Sequence, residues 1–96
     1  MGLFPASGGG KRITTKDTYS LTLTADSGAI GGFYVAQEIS SDVQSYGTPI
    51  SASVIDSAGY ICITSLFKIG SVWYLGVSGN HAGTAQVCSV TFFKDY

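Results

Sequence analysis

Residues able to perform acid–base chemistry are few in this chain, and His81 is its only histidine. Nucleophilic catalysis needs a nucleophile, a base and a group that orients the base. Ser78 lies three residues before His81 in a glycine-rich loop, but no acidic residue is near either one in the sequence. A carboxylate pair for glycoside hydrolysis would have to come from acidic residues at turns or strand ends, where acids usually cap and solubilise: Asp17, Asp26, Glu38, Asp42, Asp56 and Asp95. We therefore expect no enzyme activity and no catalytic residue.

Metal and cofactor chemistry lacks the usual ligands and motifs. The chain has one histidine, and it has no further pair of metal ligands at a spacing typical of metal sites. The glycine run 8–10 neither follows a strand nor opens a helix, so it does not predict a phosphate-binding loop. We expect no metal site and no cofactor. Cys62 and Cys88 lie in apolar strand patterns and are predicted to be buried free thiols, with a disulfide between neighbouring strands or sheets as the alternative.

Glycan binding is the chemistry that the composition favours most. Aromatic rings can stack on sugar faces, and the chain has six Tyr, five Phe and one Trp beside many Ser and Thr hydroxyls. The candidate ligand-binding residues are Trp73, Tyr74, Tyr34, Tyr46, Tyr60 and His81. The segments 79–83 and 38–47 could form the rim of such a site, because binding residues gather on loops. Plain packing of each ring is the competing interpretation.

Three aromatic doublets constrain how these rings are positioned: Phe33-Tyr34, Trp73-Tyr74 and Phe92-Phe93. Neighbouring residues on a strand point to opposite faces, so each doublet places one ring on either side of its sheet. One ring can enter the core, while the other meets a second sheet, a partner subunit or a ligand. We predict Phe33 and Phe93 at an oligomer interface. A register slip of one residue would exchange the faces, so the inward ring stays open at this point.

The elements that carry these residues read as strands. The segment 18–25 alternates, which places one set inward: Tyr19, Leu21, Leu23 and Ala25. The segment 48–56 alternates with Ile50, Ala52 and Val54 inward, and 60–67 is so apolar that both faces should be covered. A hairpin joins 60–67 to 72–77. In 84–94, Cys88, Val90 and Phe92 share one face, and the other face carries Val87, Ser89, Thr91 and Phe93. Segment 38–47 is interpreted as a loop with at most one helical turn. The prediction is an all-β fold, an antiparallel β-sandwich or jelly roll of about seven strands without a convincing helix.

Composition and charge limit the partners. Charged residues make up 11% of the chain, where about 25% is usual, so an exposed face would be poorly solvated. The formal net charge of −1 offers no field for nucleic acid or an anionic membrane, and no run is long enough to insert as a transmembrane helix. A domain of 96 residues buries too little surface to be more than marginally stable, and oligomerisation would help it.

The chain divides into two predicted parts. Residues 1–11 form a flexible lead-in or anchoring peptide, with the apolar pair Leu3-Phe4, Pro5 and a glycine run. A tag or a disordered terminus is the alternative for this segment. Residues 12–96 form a single β-sandwich domain. Without a basic n-region before Pro5, a cleavable signal peptide is not expected, which favours assembly in the cytoplasm or a fragment of a longer chain.

The final third resembles the small β-sandwich domains that end many tailed-phage tail-fibre and receptor-binding proteins. The resemblance covers residues 48–94 and is carried by the segments Tyr60-Ile-Cys-Ile-Thr-Ser, Val72-Trp-Tyr-Leu-Gly-Val-Ser-Gly-Asn and Gly83-Thr-Ala-Gln-Val-Cys-Ser-Val-Thr-Phe-Phe-Lys94. It implies a homotrimer in a virion, in contact with other virion proteins, whose exposed loops touch a bacterial surface glycan or protein. It supplies no catalytic residue.

Two other classes remain open. A capsid or tail decoration protein would dock an apolar face on a larger lattice and would be poorly soluble or monomeric alone. A bacterial carbohydrate-binding module would be a monomer with one exposed aromatic platform containing Trp73 or Tyr74.

Overall fold

Two antiparallel sheets pack as a sandwich in the computed structural model, which describes residues 11–95. Sheet A has the strand order β1-β7-β4 and sheet B the order β2-β3-β6-β5. The seven strands of the described segment are β1 (Lys11–Leu21), β2 (Thr24–Ala25), β3 (Phe33–Glu38), β4 (Thr48–Asp56), β5 (Cys62–Ile69), β6 (Val72–Gly79) and β7 (Gln86–Asp95). The predicted all-β antiparallel sandwich of about seven strands is confirmed. The predicted lead-in falls outside the described residues, except for Lys11, which begins β1.

The core lies between the sheets and is filled by one side of each long strand. In β7 the buried residues are every second one, Gln86, Cys88, Val90 and Phe92, as expected for a strand with one face on a core. Tyr19, Leu21 and Leu23 are also buried, as predicted, whereas Ala25 is exposed because β2 is only two residues long and ends at the sheet edge. The remaining fully buried apolar residues are Ile39, Leu75 and Val77.

Strand β4 departs from the predicted alternation at two bulges. Its pairing with β7 shifts register between Pro49 and Ser51, and again between Val54 and Asp56. Each bulge adds one residue that has no partner, which reverses the side on which the neighbouring side chain lies. Ile50 is therefore exposed and Pro49 buried, so the prediction of an inward Ile50 is wrong.

The apolar strand β5 is covered on one face only. Cys62, Thr64 and Leu66 face the sandwich interior, but the alternate residues Ile63 and Ile69 are exposed. The expectation that both faces are covered is thus wrong for the single chain. The predicted hairpin of this strand with β6 is confirmed, with Ile69 opposite Val72 at its turn.

A short helix, α1 (Ser40–Tyr46), closes one end of the sandwich, where the sequence predicted at most one helical turn in a loop. The intrinsic helix propensity of this serine-rich segment is low, so the helix depends on tertiary contacts for its stability. Asp42 accepts hydrogen bonds from the Lys16 ammonium (3.1 Å) and from the Tyr19 hydroxyl of β1. The Trp73 amide of β6 donates to Ser40 Oγ at 3.2 Å. Because α1 bonds to both sheets, we call this the α1 end of the sandwich and the opposite end the loop end.

Candidate functional site

Three aromatic rings converge on the outer face of sheet B. Phe67 of β5 lies opposite Tyr74 of β6, and their rings stack with centroids 5.3 Å apart and planes inclined by 14°. Tyr34 of β3 lies opposite Ser78 on the same face. The sequence identified Tyr34 and Tyr74 but missed Phe67, because only strand pairing shows that these three rings are neighbours.

Gly76 forms the floor between these rings. A Cβ atom at this position would lie 2.7 Å from the Tyr34 hydroxyl oxygen, 2.8 Å from Ser65 Oγ and 3.0 Å from Phe67 Cε1. Only glycine lets these side chains lie down on the backbone of β6. Burial of the Tyr34 hydroxyl raises its pKa, and the negative charge of Asp26 raises it further. The rings therefore form a packed, half-buried cluster rather than three independent side chains.

Isoleucines extend this cluster along β5. Ile61, which precedes the strand, and Ile63 and Ile69 within it share the strand face of Phe67 and are 66%, 44% and 64% exposed. We define the apolar face by six residues: Tyr34, Ile61, Ile63, Phe67, Ile69 and Tyr74. Across the chain, seven of the eight isoleucines are exposed and only Ile39 is buried. Isoleucine is among the most frequently buried residue types, and exposed apolar patches such as Ile61, Ile63 and Ile69 beside the ring cluster are typical of interaction surfaces.

The apolar face carries almost no charge. Glu38, opposite Tyr74 at the end of β3, is the one acidic or basic residue among the outward positions of β3, β5 and β6. Lys68 lies on the other side of its strand, with its ammonium 5.7 Å from the Trp73 ring centroid. The outward side of sheet B is therefore nearly uncharged as well as apolar.

The outer face of sheet A has the opposite chemistry. Hydroxyl groups pair across its strands: Thr15 with Thr91 and Ser53 with Ser89, each pair with oxygens 3.0 Å apart. Exposed hydroxyls on a sheet are readily solvated. Exposed isoleucines interrupt this hydroxyl surface: Ile13, which lies opposite Phe93, and Ile50 and Ile55 at the two bulges of the edge strand β4.

Tyr60 and His81 meet at the loop end. Their rings stack with centroids 3.8 Å apart and planes inclined by 8°. Backbone pairing continues beside them, because Asn80 donates its amide to the Ile61 carbonyl (3.3 Å) and accepts the Ile61 amide at its side-chain oxygen (3.2 Å). The structure thus brings together two predicted site residues from loops far apart in sequence, at positions able to contact a ligand.

Trp73 and Tyr46 do not join either group of rings. Trp73 packs against the core from the inner side of sheet B, which makes Tyr74 the outward ring of its doublet. Tyr46 lies at the last turn of α1 and contacts Phe92, with ring centroids 5.6 Å apart. Both side chains are half-buried and pack against the core, and their binding of a ligand stays a prediction.

The predicted interface residues are divided between core and surface. Phe33 packs against the core, and its neighbour Tyr34 is the outward ring. Phe93 is half-buried on the outer face of sheet A, while Phe92 is fully buried. A role of Phe33 and Phe93 in an oligomer stays a prediction.

The two cysteines are free thiols, as predicted, although Cys62 is only half-buried. The Cys62 thiol donates to the side-chain oxygen of the fully buried Gln86 at 3.4 Å. Burial raises the pKa of Cys62, and burial with the nearby Cys62 charge raises the pKa of Cys88 to about 11. Both thiols are consequently protonated and unreactive near neutral pH.

Basic residues are confined to the α1 end. Lys11 and Arg12 begin β1, Lys16 bonds to Asp42 of α1, and Lys94 reaches the Ser45 carbonyl at 3.5 Å. Lys68, the fifth, lies just before the β5–β6 turn at the same end. The charged residues of the loop end are both acidic, Asp26 and Asp56. Their carboxylates accept hydrogen bonds from the backbone amides of Gly28 and Ala58, respectively. The loop end is therefore a neutral to acidic surface of small, apolar and aromatic residues.

Among residues 11–95 there is neither a pocket nor a group of three side chains able to hold a metal ion, and no helix there is long and apolar enough to cross a membrane. Comparison with protein-family models, curated proteins and solved structures finds no match to this chain.

Proposed function

We propose that this chain is a non-enzymatic structural module of a phage virion, a tail-fibre tip or receptor-binding domain that functions as a homotrimer. The observation that carries the proposal is the exposure of seven of the eight isoleucines, together with a ring cluster on one sheet. A half-exposed apolar sheet is costly in water. Full burial of one isoleucine is worth about 1.5–3 kcal/mol, so covering Ile61, Ile63 and Ile69 alone would contribute several kcal/mol. That gain is large beside the marginal stability of a small domain.

The loop end is the surface proposed for receptor contact. The loop end lies opposite the α1 end, at which Lys11 pairs with Asp95. At the loop end, the stacked Tyr60–His81 pair and the Asn80 amide offer rings and hydrogen-bonding groups without any Lys or Arg. This chemistry suits a bacterial surface glycan, because aromatic rings can pack on sugar faces and amides can bond sugar hydroxyls.

Binding of the purified chain to an array of bacterial surface polysaccharides tests the receptor role. Tyr60→Ala and His81→Ala should weaken binding at least tenfold, while the matched control Thr91→Ala, on the hydroxyl face of sheet A, should not. Absence of binding to every polysaccharide, or equal loss in the control, would contradict the glycan-binding role.

A decoration protein is the second candidate, and the uncharged apolar face favours it. Such a face could dock on a larger capsid or tail lattice instead of on a copy of itself. A stable monomer in solution would favour this alternative. The carbohydrate-binding module has weaker support, since Phe67 covers part of one face of the outward Tyr74 ring.

A further inference from the structure

We infer that subunits of this protein join by strand addition: the segment Lys11–Lys16 of β1 in one copy pairs with the open edge of β3, residues 35–38, in the next copy. The inference rests on the proposed homotrimer and deepens it, because it names the strands through which the subunits join. It does not depend on what covers the apolar face of sheet B.

The open edge of β3 follows from the hydrogen bonds that β3 makes on its other side. Ile39, the residue after β3, donates its amide to the Trp73 carbonyl of β6 at 2.9 Å. Residues of an antiparallel pair alternate between bonded and non-bonded positions, so Ala36 and Glu38 direct their amides and carbonyls away from β6. Within residues 11–95 no other group pairs with these amides and carbonyls.

Strand β2 leaves this edge open because it is only two residues long. It pairs with β3 at Phe33 and Tyr34 alone, and the chain before it lies in sheet A, where Ser20 pairs with Val87. Residues 36–38 are exposed, including Gln37, which shares the core side of its strand with Phe33. The sandwich is therefore open beside this half of β3, and one further strand would continue the ladder that β2 begins.

This edge also lacks the features that block strand pairing at the other edges. Strand β4 has two bulges, and β5 is tied to β4 through Thr64 Oγ1, which donates to the Ala52 carbonyl at 3.0 Å. In contrast, β3 pairs with β6 without a register shift, and residues 35–38 include neither proline nor lysine. An unbulged edge without these residues is a ready template for another strand.

The partner of such an edge is an extended polypeptide backbone, and the chain itself supplies one. In β1 the register with β7 is unbroken from Lys11 to Lys16, and no strand lies on the other side of β1. This segment has three basic residues and no acidic one, whereas Glu38 is the only charged residue of β3. Opposite charges on neighbouring strands attract, while pairing of β3 with β3 of another copy would bring two Glu38 side chains together.

The contact agrees with the symmetry of the proposed trimer. It joins two different surfaces, and heterologous contacts of this kind generate a ring when the rotation between copies closes. Both strands present their open part in the half of the sandwich near α1, since Lys11 lies opposite Asp95 and Glu38 lies two residues before α1. In a ring of three copies, each gives one β1 edge and receives another at β3, so none of these edges stays unpaired.

The test variant is Ala36→Pro, which removes the edge-facing amide and places a ring carbon in the path of the incoming strand. Proline is tolerated on an edge strand where the amide faces solvent. Ala85→Pro is the matched control, because it makes the same change at an exposed residue outside the strands, at the loop end. Far-UV circular dichroism of each variant controls for folding, and Glu38→Lys, which sets like charges against the basic segment, is the second probe if Ala36→Pro fails to fold.

Light scattering coupled to size exclusion and sedimentation at several concentrations give the solution mass. The wild-type chain, 10.0 kDa as a monomer, should run as a trimer. Ala36→Pro should raise the dissociation constant at least tenfold, and Ala85→Pro should leave the mass unchanged. Hydrogen exchange followed by NMR should find the Glu38 amide protected in the wild-type trimer and unprotected in Ala36→Pro.

The outcomes separate this inference from the proposed function. A wild-type trimer that folded Ala36→Pro or Glu38→Lys leaves intact, or one in which the Glu38 amide exchanges freely, would overturn the inference and leave the homotrimer in place. A wild-type monomer at concentrations up to about 100 µM would overturn both. An intact trimer that binds no polysaccharide contradicts only the receptor role.

Discussion

Replacement of Gly47 by alanine should destabilise the fold strongly. Gly47 follows α1 with φ 104° and ψ −159°, a conformation that alanine adopts only under strain. A Cβ atom there would also lie 2.1 Å from the Phe93 carbonyl oxygen, 2.6 Å from its carbon and 2.8 Å from Lys94 Cα. These contacts are with the backbone of the central strand β7, which cannot rotate away as a side chain would.

The expected loss has two parts. The left-handed backbone costs about 1–3 kcal/mol for a residue with a side chain. Relief of the clash requires a shift of about 1 Å between β7 and the junction of α1 with β4, which at the usual cost of overpacking adds about 1–3 kcal/mol. The sum, about 2–6 kcal/mol, is a large fraction of the roughly 5–14 kcal/mol expected for a domain of this length.

Urea unfolding followed by the fluorescence of Trp73, the single tryptophan, measures this loss. Gly59→Ala and Gly83→Ala are matched controls, because both glycines have positive φ and a Cβ there would meet nothing within 4 Å. Each control should lose only the backbone part. If Gly47→Ala is no more destabilising than the controls, the close approach of Gly47 to β7 does not constrain the fold and the reasoning is refuted.

Two further changes test the polar contacts of the fold. Asp42→Asn should lower the free energy of unfolding by about 1–2 kcal/mol, because it weakens a charge-assisted hydrogen bond from the buried Tyr19 hydroxyl, and the partly exposed Lys16 pair adds little. Burial raises the pKa of Cys88 in the folded state to about 11, above the ordinary thiol value of 9.0, so the stabilising contribution of its protonated form is complete below pH 9. That contribution, about 2 kcal/mol or more, is lost as the pH rises from 9 to 11.

Both changes have internal controls. Asp56→Asn removes a carboxylate that bonds only an exposed turn amide and should cost less than Asp42→Asn; equal losses would argue against the Tyr19 bond. In urea unfolding at pH 8.5, 9.5 and 10.5, Cys88→Ala should flatten the decline seen in the wild type. A decline in the stability of Cys88→Ala between pH 8.5 and 9.5 as steep as that of the wild type would contradict the assigned Cys88 shift, because tyrosines ionise mainly above that range.

The side-chain period of two was sufficient to predict most of the strands and much of the core. The inward positions of Tyr19 and Leu21 follow from local alternation, as does the shared face of Cys88, Val90 and Phe92, which the structure shows to be the buried one. This information is local, because a strand with one buried face must place its apolar residues at every second position. The all-β class, the β5–β6 hairpin and the free thiols were therefore accessible from the sequence.

The irregular features of the fold could not be predicted from the sequence, because they depend on contacts with strands that are distant in the chain. The bulge that exposes Ile50 is defined only by the register of β4 against β7. Helix α1 is held by Asp42 bonds to β1 and by the Trp73 amide of β6 rather than by its own propensity. No local pattern in residues 38–47 encodes those partners.

The candidate site shows the same division between local and long-range information. The sequence alone determined that each aromatic doublet must divide its rings between two faces, and that the low charge leaves an exposed face poorly solvated. Only the tertiary structure decided that Tyr34 and Tyr74 are the outward rings, and that Phe67 joins them over Gly76. Alternation is a property of one strand, whereas the neighbours of a side chain across a sheet depend on strand order and register, which long-range pairing sets.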